Sequence, residues 1–144
     1  MLTGRICTRV VATAVPDESV RAAAQRMAHH GVGTLVVVDP ESLLPLGVVT
    51  DRDLTIRCLA ESRDPDAETI SAVMTAPVLT IADDAPIEEA TSRMAKGGIR
   101  RLVVTGTDGG MVGLLSLDDV LERLVEEVNA VGRLLERQAP RIAV

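Results

Sequence analysis

Two short stretches set a hydroxyl three residues ahead of a carboxylate at the end of an apolar run. They are Thr50 and Asp53 in Gly47-Val48-Val49-Thr50-Asp51-Arg52-Asp53, and Ser116 and Asp119 in Gly113-Leu114-Leu115-Ser116-Leu117-Asp118-Asp119. Where a strand ends and a helix begins, unpaired backbone N–H groups and the helix dipole attract an anion. A carboxylate one turn further on can accept hydrogen bonds from two vicinal hydroxyls, and the glycine permits close backbone approach. The same spacing also reads as a capping box with Asp in place of Glu. Cap and ligand roles are compatible, since a ligand phosphate can displace the capping side chain.

Other chemistry-bearing residues are few. Arg100 and Arg101 precede an apolar strand, and their forked guanidinium groups suit phosphate. Neighbours on a strand face opposite sides, so at most one of the two is expected at a ligand. Arg52 reads as an exposed helical arginine, with the role of a phosphate-binding cation for the first stretch as the alternative. His29 and His30 end a helix, where imidazole suits the dipole, and read as surface residues. Cys7 and Cys58 have no paired spacing, which points to free thiols in a reducing compartment. No nucleophile–base pair, metal cluster or converging acid pair can be read, so catalysis and metal binding are not expected.

The elements that carry these residues occur twice. Val10 to Val15 reads as a strand, Asp17 as an N-cap, and Val20, Ala23, Ala24, Met27 and Ala28 as a helix face stopped by Gly31. Strands follow at Leu35–Val38 and Leu46–Val49, then a helix from Asp51 to about Ala60. A shift of 67 residues repeats the pattern: a strand at Val78–Ile81, a helix carrying Ile87, Ala90 and Met94, a stop at Gly98, and a strand at Leu102–Thr105. One residue is lost in the hairpin Gly106–Gly110, and Met111–Leu115 is the last strand. The expected division is residues 1–60 for the first repeat, 61–69 for a polar linker, 70–127 for the second repeat and 128–144 for an extended helix and tail. Each unit is too small to cover both faces of its sheet and should pack on the other.

Composition narrows the partners. The 144 residues include no Phe, Trp or Tyr and carry a formal charge of −6, which argues against nucleic-acid binding. A ring-shaped ligand would be gripped by aliphatic side chains. No apolar run approaches the length of a membrane span, so a cytoplasmic protein without membrane contact is expected.

The order of elements, the tandem duplication and the two Gly-x-x-Thr/Ser-x-x-Asp signatures resemble a pair of cystathionine β-synthase (CBS) domains, a Bateman module, of the small stand-alone bacterial type. The resemblance covers roughly residues 3 to 126. It implies an α/β (α+β) fold of two tandem β-α-β-β-α repeats packed with pseudo-two-fold symmetry. It also implies an adenosyl ligand in the cleft between them: AMP, ADP or ATP, with S-adenosylmethionine or NAD in some members. On this pattern Asp53 and Asp119 hold ribose, Thr50 and Ser116 reach phosphate, and Arg100 and Arg101 stand at a phosphate-contacting position, with Arg101 favoured. The first copy departs from the pattern with Gly33 and Thr34 at the equivalent places. Arg101 serves the pocket of Asp119 if each repeat is self-contained, or that of Asp53 if the repeats lend residues to each other. The implied role is regulation and signal transduction without catalysis or an obligatory cofactor, acting on an effector protein in trans. The alternative is a structural dimerisation scaffold with degenerate sites.

The last helix, expected from about Leu117 to Gln138, outruns its counterpart. Its first half is enough to complete the second repeat, while Val128, Val131, Leu134 and Leu135 extend an apolar stripe that calls for a partner. A homodimer is expected.

Overall fold

The computed structural model describes residues 1–140, so the last four residues of the expected tail lie outside the described residues. Its elements run α1 (Thr3–Ile6), β1 (Thr13–Ala14), α2 (Val20–His30), β2 (Thr34–Val38), β3 (Pro45–Thr50) and α3 (Asp51–Leu54), which continues as a π-helical turn, Thr55–Leu59. The second series is α4 (Ile70–Val73), β4 (Thr80–Ala82), α5 (Ile87–Gly97), β5 (Arg101–Thr105), β6 (Met111–Ser116) and α6 (Leu117–Gln138). The expected duplication of a strand, a helix, two strands and a helix is present.

Local chemistry explains the ends of the helices. The Ser19 hydroxyl, not Asp17, caps α2 by accepting the Ala22 N–H at 3.1 Å. Pro86 takes the N-cap position of α5, which has no side-chain cap. Glu18 is occupied elsewhere, accepting the Val15 N–H at 2.7 Å and pairing with Arg26. Both helices stop at a left-handed glycine, Gly31 (φ 64°) and Gly98 (φ 61°).

Each half forms a three-stranded sheet in sequence order, with the first pair parallel and the second antiparallel. The aliphatic run Leu35–Val36–Val37 is fully buried, as a central strand covered on both faces requires. Both antiparallel ladders slip register at matching places, between Val37 and Val38 and between Val104 and Thr105. The opening strand is shorter than the expected Val10–Val15, because only Thr13 and Ala14 find partners on β2. Val10 is left 93% exposed.

Three apolar clusters result. One lies under the first sheet around Met27, Leu35, Val49 and Ile70, and another under the second around Met94, Leu102, Leu115 and Val120. The third joins the two sheets face to face through Val36, Val38 and Val103, with Val48 and Leu114 packed against them. Burying each such side chain is worth about 1.5–3 kcal/mol relative to exposure, and this cluster is what the repeats would expose if separated.

The opening helices are exchanged between cores. Thr3 and Gly4 donate their N–H groups to Ala85 and Asp83 of the second half, each at 2.9 Å. Cys7 belongs to the second core, while Ile70 and Val73 of α4 belong to the first. The motif glycines make room for the crossing backbones. A Cβ on Gly47 would lie 2.6 Å from the Thr75 carbonyl oxygen, and one on Gly113 would lie 2.6 Å from that of Thr8.

Burial in α6 ends sooner than halfway. Val120 is buried, but Leu121, Leu124, Val125 and Val128 are already exposed, together with Val131, Leu134 and Leu135. Among the described residues, no helix is long and apolar enough to cross a membrane.

Candidate ligand clefts between the repeats

Thr50 and Ser116 end β3 and β6, and each is the N-cap of the helix that follows. Both hydroxyl–carboxylate pairs form complete capping boxes. In the first, Asp53 N–H donates to Thr50 Oγ1 at 3.2 Å and Thr50 N–H donates to Asp53 Oδ2 at 2.9 Å. In the second, Asp119 N–H donates to Ser116 Oγ at 3.1 Å, while Ser116 N–H and Oγ–H both donate to Asp119 Oδ2 at 2.7 Å. The two copies therefore differ in a way their residue types hide. The Ser116 hydroxyl hydrogen is used by its own carboxylate, whereas the Thr50 hydroxyl gives its hydrogen to no described residue.

A second carboxylate oxygen remains at Asp53. Its Oδ1 lies 3.8 Å from Arg57 Nε, and Arg57 is itself tied to the Val73 and Met74 carbonyl oxygens at 3.0 Å each. Arg57 was not singled out by the motif, because its role depends on α4 crossing from the other half. In an isolated sequence, an arginine four residues after an acid reads only as a helix-surface pair.

The inter-sheet cluster closes the middle of the molecule and leaves a cleft on either side. The larger, of about 420 Å³, is lined by Thr50, Asp51, Arg52 and Asp53 from the first repeat and by Gly98, Ile99, Arg100 and Arg101 from the second. Its apolar walls are aliphatic: Val48, Pro77, Val78, Leu79 and Val103. The smaller, of about 250 Å³, is lined by Ser116, Asp118 and Asp119 together with Val10, Val11, Ala12, Val32 and Gly33. Ligand pockets for compact organic molecules usually span about 300–1,000 Å³, so the first volume falls in that range and the second falls below it.

The two arginines therefore stand across the cleft from Thr50 and Asp53 of the other repeat, and Arg101 also reaches the hydroxyl–carboxylate pair of its own. Both line the larger cleft, since Arg100 precedes β5 and its side chain is not bound by strand alternation. Arg100 is paired with Asp118 at 3.2 Å. The Arg101 side chain makes no hydrogen bond or ion pair with any described residue, and it also lines the smaller cleft. Arg52, read as a surface helical residue, is exposed and lines the larger cleft as well. Formal charge follows: three arginines face two carboxylates in the larger cleft, and one arginine faces two carboxylates in the smaller.

Thr34, which enters the sequence pattern only as a departure from it, gains a role in the fold. It lies opposite Thr50 in the ladder, lines both clefts and is only 8% exposed. Its Oγ1 has no hydrogen-bond partner, a state that costs about 1–3 kcal/mol when nothing fills it. His29 and His30 end α2 away from the larger cleft, and Cys7 and Cys58 are buried free thiols. Among the described residues, no cluster of ligating side chains could hold a metal ion.

Comparison with known proteins supplies the family context. A family model described as the CBS domain matches residues 4–59 and 70–126. The CBS domain-containing protein YhcV of Bacillus subtilis is 34% identical over 113 residues, 78% of this chain and 78% of that protein. A CBS-domain structure from Burkholderia ambifaria, named as a candidate signal-transduction protein, is similar at TM-score 0.79 and 26% identity, covering 88% of this chain and 95% of that one. A CBS-domain protein of Pyrobaculum aerophilum complexed with AMP is similar at TM-score 0.75 and 28% identity, covering 83% of this chain and 89% of that one. The chain spans between 60% and 78% of the length of four curated relatives that it matches.

Proposed function

Because this chain belongs to the CBS-domain family, we propose that it is a non-catalytic regulatory module that binds an adenosyl ligand between its repeats and signals to a partner protein in trans. The observation that carries this reading is the larger cleft, where Thr50 and Asp53 of one repeat face Arg100 and Arg101 of the other across aliphatic walls. A nucleotide fits that chemistry in three parts. The Thr50 hydroxyl and the arginines suit phosphate, the Asp53 Oδ1, which takes no part in the cap, suits a ribose diol, and Val48, Val78 and Ile99 offer apolar contact to a base. The AMP complex of the Pyrobaculum relative supports the same ligand class. AMP, ADP and ATP are the first ligands to consider, with S-adenosylmethionine and NAD as variants of the same adenosyl group. A ligand held from both sides links the two repeats, so its binding energy can shift their relative packing toward one arrangement.

The partner surface on α6 suits a second copy of this chain. Residues 117–127 of α6 hold Asp118, Asp119, Glu122, Glu126 and Glu127 against Arg123 alone, while residues 128–138 hold Arg133 and Arg137 against Glu136. Two such helices laid antiparallel set each acidic half beside a basic half and oppose their dipoles. A parallel pair would set acid beside acid. The exposed seam Leu121, Leu124, Val128, Val131 and Leu135 keeps a seven-residue repeat, the pattern of a helix that packs along another helix.

A second reading, a dimerisation scaffold without ligand, is favoured by one observation: both hydroxyl–carboxylate pairs already satisfy each other as helix caps. Calorimetric titration with AMP, ADP, ATP and S-adenosylmethionine separates the two. The nucleotide reading expects saturable binding that Asp53→Ala weakens by about tenfold or more, the effect of losing hydrogen bonds to a charged group. Absence of binding at millimolar concentration supports the scaffold. A bound adenine is also visible directly, since a chain without Trp or Tyr leaves the near-ultraviolet spectrum to the ligand.

A further inference from the structure

We infer that the two clefts draw on a single arginine, so that each chain takes one anionic nucleotide, in the cleft of Asp53. The inference rests on the nucleotide reading and adds its stoichiometry and the residues that set it. Each cleft takes its hydroxyl–carboxylate pair from one repeat and the facing wall from the start of the other repeat's middle strand. In the Asp53 cleft that wall is Arg100 and Arg101. The residues equivalent to these in the first repeat are Gly33 and Thr34, which line the Asp119 cleft and bring no charge to it.

The smaller cleft therefore depends on Arg101, which enters it from the ladder position opposite Ser116. That side chain has no tether, so a phosphate in the larger cleft can draw it over without breaking an ion pair. Arg100 cannot replace it in the smaller cleft, where it is not among the lining residues and is already paired with Asp118. With Arg101 withdrawn, the smaller cleft keeps no lining cation and presents the Asp119 carboxylate to an incoming anion, which it repels.

Thr34 makes the arrangement specific. Its buried, unpartnered Oγ1 lies in the wall common to both clefts. One hydroxyl donates one hydrogen, so it can complete the partners of one ligand and not of two. An arginine at this position would restore the missing half of the pseudo-symmetry.

Titration of the full chain with AMP tests this. One AMP per chain is expected, and Arg101→Ala weakens it tenfold or more. Thr34→Arg, checked for native circular dichroism, is expected to gain a second AMP while binding the first more weakly, because the shared hydroxyl is lost. Two equivalent AMP sites in the unmodified chain would overturn the shared-arginine inference and leave the nucleotide reading intact. No AMP binding at millimolar concentration would overturn both. A folded Thr34→Arg protein that still takes one AMP would show that the missing arginine is not what closes the second cleft. If that variant does not fold, the stoichiometry of the unmodified chain decides.

Discussion

Thr50 and Ser116 occupy matching positions and make the same cap, yet one keeps a hydrogen to give and the other does not. Because both cap the N-terminus of a helix, Thr50→Ala and Ser116→Ala should each lower stability by about 1 kcal/mol. Urea denaturation followed by circular dichroism measures this, as the chain has no aromatic residue for fluorescence. An unchanged midpoint in either variant would mean that the cap contributes nothing. These four residues were legible in the sequence because the spacing occurs twice in register. Thr34 was not, because a threonine at the start of an apolar strand looks like any other β-former. Its hydroxyl becomes buried and unpartnered only when the opposite repeat covers it. The side of the cleft on which Arg101 acts was hidden for the same reason: spacing along one chain does not say which repeat faces which.

At the scale of elements, the copies agree even in their irregularities, and α6 is where they part. Its seam gives a test of the antiparallel pair. With the crossing centred near Val128, Leu121 of one chain lies beside Leu135 of the other. The doubly substituted Leu121→Cys, Leu135→Cys protein should therefore oxidise to a covalent dimer, while Leu121→Cys alone should not. A disulfide dimer from the single variant would indicate a parallel pair. Truncation after Glu127 should halve the mass by light scattering, and an unchanged mass would remove α6 from the interface. Periodicity located both ends of this helix closely, but placed the end of its buried part too late. An apolar stripe looks the same whether its partner belongs to the same chain or to another. The first strand was over-read in the same way: Val10 to Val15 is β-prone throughout, but the neighbouring strand offers ladder partners to only two of its residues.

For the whole molecule, the partly buried pair of Glu18 and Arg26 makes stability depend on pH. The hydrogen bond from Arg26, helped by the Val15 N–H, holds the Glu18 carboxyl below its ordinary value near 4.5 against the opposing effect of burial. The folded chain thus binds this proton less readily than the unfolded chain. Its stabilising contribution is complete above the ordinary value and fades as pH falls through the lowered one. Comparison of Glu18→Gln with the unmodified protein should show a stability gap at neutral pH that closes in acid, and a gap independent of pH would exclude this pair as its source. The exchanged opening helices have a consequence of another kind, in time. Thr3 leaves synthesis early, but the Ala82 carbonyl it binds is 79 residues away, and Leu114, which exchanges two hydrogen bonds with Thr8, comes later still. Contacts so distant in the chain form only after the loop between them closes. During synthesis Thr3 and Thr8 must therefore wait for residues made much later before these hydrogen bonds can form.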